Sequence, residues 1–234
     1  MQPAELAGAV WGMVTRADLE HTVRELLSEA REHTAAAEVG VFRRRAGAEV
    51  EIAGASGEHV RRADELQLQH GEGPCLAAAL TNHTYRVDEL QADRRWPGWS
   101  AAAAELGWRS ILSLPLASGR ECLGTLNLYS DRPGSFRGED MVAAQVFARH
   151  ASVALALRIA EERLRKEMRD QHLLGLAQGV LMERYRITAA HAGQLIRHHA
   201  SQGDESPYRL AERIVRSRRA PWDDSQRSQP QPAS

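Results

Sequence analysis

One helical stripe near the C-terminal end constrains the fold of this chain more than any other feature. Its residues recur at i, i+4, i+7, i+8 and i+11, the spacing of one helix face: Leu173, Ala177, Val180, Leu181 and Arg184. A face that is mostly apolar must be buried against other elements. Gly179 lies inside the same helix, where glycine costs about 1 kcal/mol relative to alanine. The glycine therefore predicts a close approach to the helix backbone.

The chain after this helix predicts two short helices and no sheet. Thr188 has the residue type of an N-cap, and Ser206 followed by Pro207 combines a cap with proline at the first helical position. Residues 203–205 predict the turn between the two helices. Three short helices make a small core, so the module is expected to depend on its long first helix. Residues 218–234 are rich in Pro, Gln and Ser and predict a disordered tail.

Upstream, residues 5–157 mix helical periodicity with the period-two alternation of strands. The predicted helices cover residues 5–14, 17–34, 59–69, 75–80 and 100–106, with a long helix from residue 137 onward. The predicted strands are two hairpins, near 39–41 with 50–52 and at 111–116 with 122–129, and a short strand at 85–87. This order predicts an α+β fold with an antiparallel sheet and helices on one face.

Charge is distributed unevenly, although the net charge of the chain is only -1. Residues 1–157 carry 16 Arg and 21 acidic residues, a balance of -5. Residues 158–220 carry 12 Arg and one Lys against eight acidic residues, a balance of +5. An acidic first part and a basic second part indicate that only the second part meets a polyanion. Ordinary scatter of surface charge is the alternative.

Cysteine content and hydropathy predict a cytoplasmic protein that does not associate with a membrane. Cys75 and Cys122 are too few for a disulfide framework, which suits a reducing compartment. No run approaches the roughly 18 consecutive apolar residues of a membrane span. The N-terminal residues lack the basic start and long apolar core of a signal peptide.

Four motifs in the first part resemble those of GAF domains in actinobacterial regulators. They lie at residues 71–76, 96–97, 109–116 and 123–129. The resemblance covers about residues 5–157 and implies a signal-sensing domain. It leaves the ligand open, because such domains bind cyclic nucleotides, chromophores, haem, small metabolites or nothing. We therefore predict no cofactor and expect a small-molecule ligand of unspecified identity.

The C-terminal helices resemble an ANTAR domain, the RNA-binding output module of antitermination regulators. The resemblance is carried by residues 177–185, Ala192, residues 195–197, Ala211 and residues 214–215. A GAF domain followed by this module is a known actinobacterial architecture. The combination implies a regulator without enzymatic activity, which binds stem-loop RNA in nascent transcripts and promotes transcription antitermination.

The resemblance also points to the residues that would contact RNA. Sequence-specific RNA recognition uses unstacked loop bases, which aromatic side chains stack on, while Arg contacts phosphates. The candidates are Ala177, Gly179, Arg184, Tyr185, Arg186, Arg197, His198, Arg209 and Arg213. Tyr208 is a further stacking candidate. A solvated helix face is the alternative for each Arg, and core packing is the alternative for each Tyr.

This chain departs from the usual ANTAR pattern at several positions. The family often has Lys at Gln178, Gly at Arg186 and an aromatic residue at Gly193. It often has Asn followed by basic residues at positions 204–206, where this chain has Asp204, Glu and Ser. The departures are expected to affect RNA affinity or specificity more than the fold.

A helical connector is predicted over residues 158–172, between the sensor at 5–157 and the output module at 173–217. Steps of three and four residues form a heptad pattern: Phe147, His150, Ala154, Leu157, Glu161, Leu164, Met168 and Gln171. The pattern predicts a homodimer through the connecting helix, weakened by its polar members. A monomeric helix that folds back onto its own domain is the alternative.

Other function classes stay open at the level of sequence. Cys75 begins a helix, which predicts a lowered thiol pKa and a ligand or redox role, although no resolving cysteine or orienting acid accompanies it. The sensor could instead direct its C-terminal helices to DNA or a protein, but the second helix lacks the polar side chains that read bases. We predict no metal site, because His191, His198 and His199 have no Cys or clustered carboxylate beside them.

Overall fold

A computed structural model describes residues 18–45, 49–218 and Trp222. The chain forms two compact units, which divide between Glu162 and Arg163. The helix predicted at residues 5–14 lies outside the described residues.

The first unit is built on a five-stranded antiparallel sheet with the strand order β2-β1-β5-β4-β3. The strands are β1 (Glu38–Arg44), β2 (Val50–Ala55), β3 (Tyr85–Val87), β4 (Ser110–Ser118) and β5 (Glu121–Ser130). The helices are α1 (Leu19–His33), α2 (Glu58–His70), α3 (Pro74–Thr81), α4 (Pro97–Glu105) and the start of α5 (Gly138–Tyr185), with a 3-10 turn at Leu90–Ala92. Both predicted hairpins and the α+β class are confirmed. The central pairing of β1 with β5 joins the two hairpins into one sheet.

Helices cover both faces of this sheet, so the expectation of helices on one face is wrong. On one face, α1 and α5 pack against side chains such as Leu112 and Leu126. On the other face, α2, α3 and α4 pack against side chains such as Ile111 and Tyr129. The reason is that both alternating residue sets of β4 and β5 are buried. Strands buried on both faces need a layer of structure on each side.

The second unit is a small core formed by the end of α5 with α6 (Ala189–Gln202) and α7 (Pro207–Ser217). Both predicted caps are confirmed. The hydroxyl of Thr188 accepts the His191 N–H at 3.3 Å, and the hydroxyl of Ser206 accepts the Arg209 N–H at 3.3 Å. The buried core comprises Ala177, Leu181, Ala192, Ile196, Ala200, Leu210, Ala211 and Ile214.

Trp222 also packs against this core, although it lies in the range predicted to be a disordered tail. Arg218 is likewise described, at the C-cap of α7. The disordered tail stays a prediction, since residues 219–221 and 223–234 lie outside the described residues. A single Trp buries a large apolar area, which the Pro/Gln/Ser-rich composition around it concealed.

Among the described residues, only α5 is long and apolar enough to cross a membrane by length and composition. Its apolar residues in the first unit include Phe147, Ala151 and Leu155, which are buried in the core of that unit. Packing inside a folded core accounts for these three residues, whereas Val142, Val153 and Leu157 of the same segment are exposed.

The β1–β5 pairing predicts the effect of one substitution. A methyl group at Gly124 of β5 would collide with the backbone carbonyl oxygen of Phe42 in β1. Gly124→Ala should destabilise the protein by about 1–3 kcal/mol, because the two strands must separate. Urea denaturation measures this loss. The matched control is Gly175→Ala in α5, where a methyl group meets nothing within 4 Å and helix propensity adds about 1 kcal/mol. Equal stability of Gly124→Ala and the unmodified protein would contradict the close approach.

Candidate functional site

The second unit exposes basic side chains on three successive elements. Arg184 lies at the end of α5 and Arg186 in the turn after it, while α6 and α7 carry the others. All six basic candidates are exposed: Arg184, Arg186, Arg197, His198, Arg209 and Arg213. Their contact with RNA stays a prediction, but each is accessible to a phosphate.

Two of these arginines already have partners within the unit. The Arg213 guanidinium forms an ion pair with the Glu205 carboxylate at 3.0 Å. Arg184 donates to the backbone carbonyl of Arg218 at 3.4 Å and lies 5.9 Å from the centre of the Tyr185 ring. A phosphate that binds Arg213 must therefore compete with the neighbouring carboxylate.

The small and aromatic candidates differ in accessibility. Ala177 is fully buried in the helical core, so its methyl group packs against helices and the expectation of an RNA contact there is wrong. Gly179 is exposed, and a methyl group there would meet nothing within 4 Å. No neighbouring element among the described residues makes the close approach predicted at this glycine. Tyr185 and Tyr208 are half-buried, which leaves part of each ring accessible.

Two departures from the usual ANTAR pattern are neighbours in space. A methyl group at Gly193 would lie 2.6 Å from the Gln178 amide nitrogen and 3.5 Å from the Arg197 guanidinium. The Gln178 side chain thus occupies space beside Gly193, where the family often has an aromatic residue. The two departures are compatible, because the Gln178 side chain fills space that Gly193, which lacks a side chain, leaves open.

Two further departures fall at residues with left-handed backbone conformation. Arg186 has φ of 54° and Asp204 has φ of 49°. Glycine adopts this region without steric cost, and Asn or Asp tolerates it better than other residues. The usual Gly and Asn of the family fit this geometry, so Arg186 retains a strained turn while it adds a cation.

In the first unit, Cys75 begins α3 but is fully buried, and the predicted low thiol pKa is wrong. Burial raises the pKa of the Cys75 thiol well above its usual value, and the nearby Asp64 carboxylate raises it further. A thiol that stays protonated is a poor nucleophile and a poor metal ligand. This environment does not favour a redox role for Cys75.

Cys75 belongs to a buried polar cluster that sequence reasoning missed. The Tyr129 hydroxyl donates to Asp64 Oδ1 at 2.7 Å, and Gln67 Nε2 donates to the Tyr129 hydroxyl at 3.1 Å. The Cys75 N–H donates to Gln67 Oε1 at 2.9 Å, and its Sγ lies 3.3 Å from Ser113 Oγ. One signal could have revealed the cluster: the polar residues Thr125, Asn127 and Tyr129 alternate along the buried strand β5.

Asp64 is the acidic centre of this cluster. Burial raises the pKa of Asp64 to about 7, while hydrogen bonds from Tyr129 and Asn127 oppose that rise. Its second oxygen, Oδ2, has no hydrogen-bond partner among the described residues. A methyl group at Gly40 of β1 would collide with this oxygen, so the glycine makes room for the carboxyl group.

One group of side chains in the described residues has the types and spacing that a metal ion could use: Glu29, Glu32 and His33 of α1. His33 Nε2 lies 3.1 Å from the Glu29 carboxylate. Such acidic groups are common on helix surfaces without an ion, and this one carries no metal assignment.

The comparison with family models decides the family of the first unit. A model described as "GAF domain" matches residues 16–156. The chain belongs to the GAF domain family. A second model, described as "ANTAR domain", matches residues 162–215. The chain is thus built as a GAF–ANTAR regulator, as the motifs predicted.

Solved structures show the same fold for the GAF unit. The GAF domain of a phosphoenolpyruvate-protein phosphotransferase from Acinetobacter matches with a TM-score of 0.56 and 12% identity, over 70% of this chain and 99% of that one. The corresponding domain from Coxiella burnetii matches with a TM-score of 0.56 and 17% identity, over 68% and 95%. A free methionine-R-sulfoxide reductase from Neisseria meningitidis matches with a TM-score of 0.53 and 17% identity, over 67% and 89%. At such identities the likeness shows the fold alone.

No curated protein matches the chain. GAF domains sense signals and ANTAR domains are RNA-binding antitermination modules, so the domain layout is that of a regulator rather than an enzyme. The fold that the GAF unit shares with a reductase does not alter this conclusion, since a likeness at 17% identity shows the fold alone.

The raised pKa of Asp64 predicts a pH dependence of folding stability. The carboxyl pKa is about 7 in the folded state against an ordinary 3.8. Between these values the folded state holds a proton that the unfolded chain has released. Stability should therefore fall as pH rises from about 4 to about 7, by up to about 1.4 kcal/mol per pH unit. The Asp64→Asn variant should lack this pH-dependent change in stability.

Urea denaturation at pH 5 and pH 7.5 measures the effect as a difference between the unmodified protein and Asp64→Asn. The matched control is Asp131→Asn, which changes an exposed aspartate and should leave the pH dependence intact. The same pH dependence in the Asp64→Asn variant would show that Asp64 does not titrate in this window.

Proposed function

We propose that this GAF–ANTAR protein is a signal-responsive regulator, which binds stem-loop RNA in nascent transcripts and promotes transcription antitermination. The observation that carries the proposal is an ANTAR domain whose small core presents six exposed basic side chains. Cationic side chains on phosphates supply general, salt-dependent affinity. Loop bases that are free of pairing supply the sequence specificity.

In the proposed mechanism, bound RNA holds a structure that excludes the terminator hairpin, so that RNA polymerase continues. The functional boundaries are a sensor at residues 5–157, a connector at 158–172 and an RNA-binding module at 173–217. A small molecule bound by the sensor would shift the protein between binding states. It can do so only by binding those states with different affinities. Such a regulator acts in the cytoplasm, where transcripts are made.

A homodimer is part of the proposal, but only some members of the predicted heptad are free to form its interface. Phe147 and Ala154 belong to that heptad, and their exposed fractions are 1% and 0%. They lie in the core of their own unit, so they cannot contact a second chain. Of the apolar heptad members, Leu157, Leu164 and Met168 are exposed and remain available to a second chain.

Six of the eight exposed large apolar residues of α5 follow an eleven-residue spacing, and Leu176 and Met182 lie outside it. The six form two sets: Val142, Val153 and Leu164, and Val146, Leu157 and Met168. Their exposed fractions range from 36% for Val146 to 72% for Met168. Eleven residues in three turns keep such a stripe nearly straight along a helix. A second copy of α5 repeats the same spacing, and we infer that it is the partner.

The dimer proposal predicts the effect of a charge within this stripe. Leu157→Glu should convert a dimer to a monomer, because two carboxylates would meet across the paired helices. Size-exclusion chromatography with light scattering measures the mass. Leu80→Glu is the matched control, since Leu80 is a 64% exposed leucine on α3. A monomeric unmodified protein, or a dimeric Leu157→Glu variant, would contradict the proposed interface.

The proposed RNA interface predicts how single arginines act. Arg197→Ala and Arg209→Ala should each weaken binding to a paired-hairpin RNA and lower the slope of log affinity against log salt by about 1. Arg120→Ala is the charge-matched control, because Arg120 lies in the β4–β5 turn of the GAF unit. Fluorescence anisotropy at several salt concentrations measures both quantities.

The same assay separates RNA from the other partners. Binding to duplex DNA as tight as to hairpin RNA at one salt concentration would favour a DNA-directed sensor. Binding to neither nucleic acid, in any ligand or association state tested, would reject the proposed function and favour a protein partner.

A further inference from the structure

A cleft in the ANTAR unit is lined on one side by two stacked aromatic rings. The indole of Trp222 lies against the imidazole of His199, with ring centres 3.9 Å apart and planes inclined by 13°. The cleft has a volume of about 350 Å³. Its lining comprises His199, Gln202, Gly203, Glu205, Leu210, Arg213 and Trp222. The face of His199 therefore accepts a flat aromatic partner.

The groups around this stacked pair are those that recognise a nucleobase. The side-chain amide of Gln202 offers a donor and an acceptor for a base edge, and Leu210 supplies an apolar contact. Arg213, held 3.0 Å from Glu205, places a guanidinium at the same cleft. Proteins hold unpaired RNA bases by the same combination of an aromatic stack, edge hydrogen bonds and a cation for the phosphate.

We propose that one unpaired base of an RNA loop enters this cleft and stacks on His199, and that Trp222 covers that face of His199 when RNA is absent. The inference rests on the proposed function, because it assumes that the ANTAR unit binds stem-loop RNA. The base and the indole use the same face of His199, so their binding is mutually exclusive. Trp222 lies beyond residues 162–215, which match the ANTAR model, so the competing ring comes from the chain that follows the domain.

Competition from Trp222 should lower the affinity of the protein for RNA. A ring on the same chain is present at a high effective concentration. The apparent RNA affinity is then reduced, because only molecules in which Trp222 has left the face of His199 can bind the base. Burial and the neighbouring His198 ring lower the pKa of His199, so the imidazole is neutral near pH 7 and stacks as an uncharged ring.

Substitutions at the two stacked rings test this inference in the full-length protein. Trp222→Leu keeps an apolar contact with the core but cannot stack as a flat ring, and it should bind paired-hairpin RNA about threefold more tightly or better. Trp222→Phe keeps a flat ring and should bind like the unmodified protein. His199→Leu should bind at least about fivefold more weakly, since stacking contributes about 1–3 kcal/mol per base. His199→Phe should restore binding.

His191→Leu is the matched control, since His191 is an exposed histidine on the same helix and its loss should not change affinity. A second readout is tryptophan emission. RNA should move the Trp222 indole into water and shift the emission to longer wavelength, and Trp222→Phe should lack this shift. Thermal melts followed by circular dichroism identify any variant that has lost its fold.

The outcomes separate this inference from the proposed function. If the unmodified protein binds hairpin RNA and Trp222→Leu binds more weakly, the indole itself supports RNA and the competition is refuted. If Trp222→Leu and His199→Leu both bind unchanged, the cleft is not a base site, while the proposed function stands. If the unmodified protein binds no hairpin RNA in any state tested, both are refuted.

Discussion

Burial of the central strands on both faces is the constraint on which the rest of the GAF unit depends. Every position of β5 after Glu121 is buried, so neither face of the sheet centre can be left to water. One helical layer contains α1 and α5, and the other contains α2, α3 and α4. The helix α5 contributes Phe147, Ala151 and Leu155 to this core, and its C-terminal residues, such as Leu181, belong to the ANTAR core.

The two faces of the sheet differ in chemistry. The α1–α5 side is packed with Leu, Val, Ala and Phe side chains, which tolerate little change in volume. The opposite side contains Asp64, Gln67 and Tyr129 in one hydrogen-bonded cluster. A buried carboxyl group is stable there only while it is protonated or well solvated by donors. The protonation of Asp64 is therefore linked to the stability of this side of the sheet.

Local sequence patterns predicted the helices and strands well. The spacing of apolar residues in each one is set by which of its own faces is buried. Thr188 and Ser206 were predicted as caps for the same reason: a cap is a local hydrogen bond. The β1–β5 pairing, the second helical layer and the Asp64 cluster join residues distant in sequence, and no local period encodes them. The heptad pattern failed at Phe147 because an apolar residue on a helix does not reveal whether its partner is its own domain or another chain.

The candidate RNA site shows the same division between local and non-local information. Basic residue types were visible in the sequence, and their exposure follows from the buried positions between them on α6 and α7. Their existing partners were not visible: Glu205 holds Arg213, and Trp222 covers His199 from beyond the predicted module. Under the proposed function, both contacts occupy groups that an RNA ligand would use. The surface of this small core is thus partly satisfied before any RNA arrives, and RNA must replace intramolecular contacts rather than only displace water.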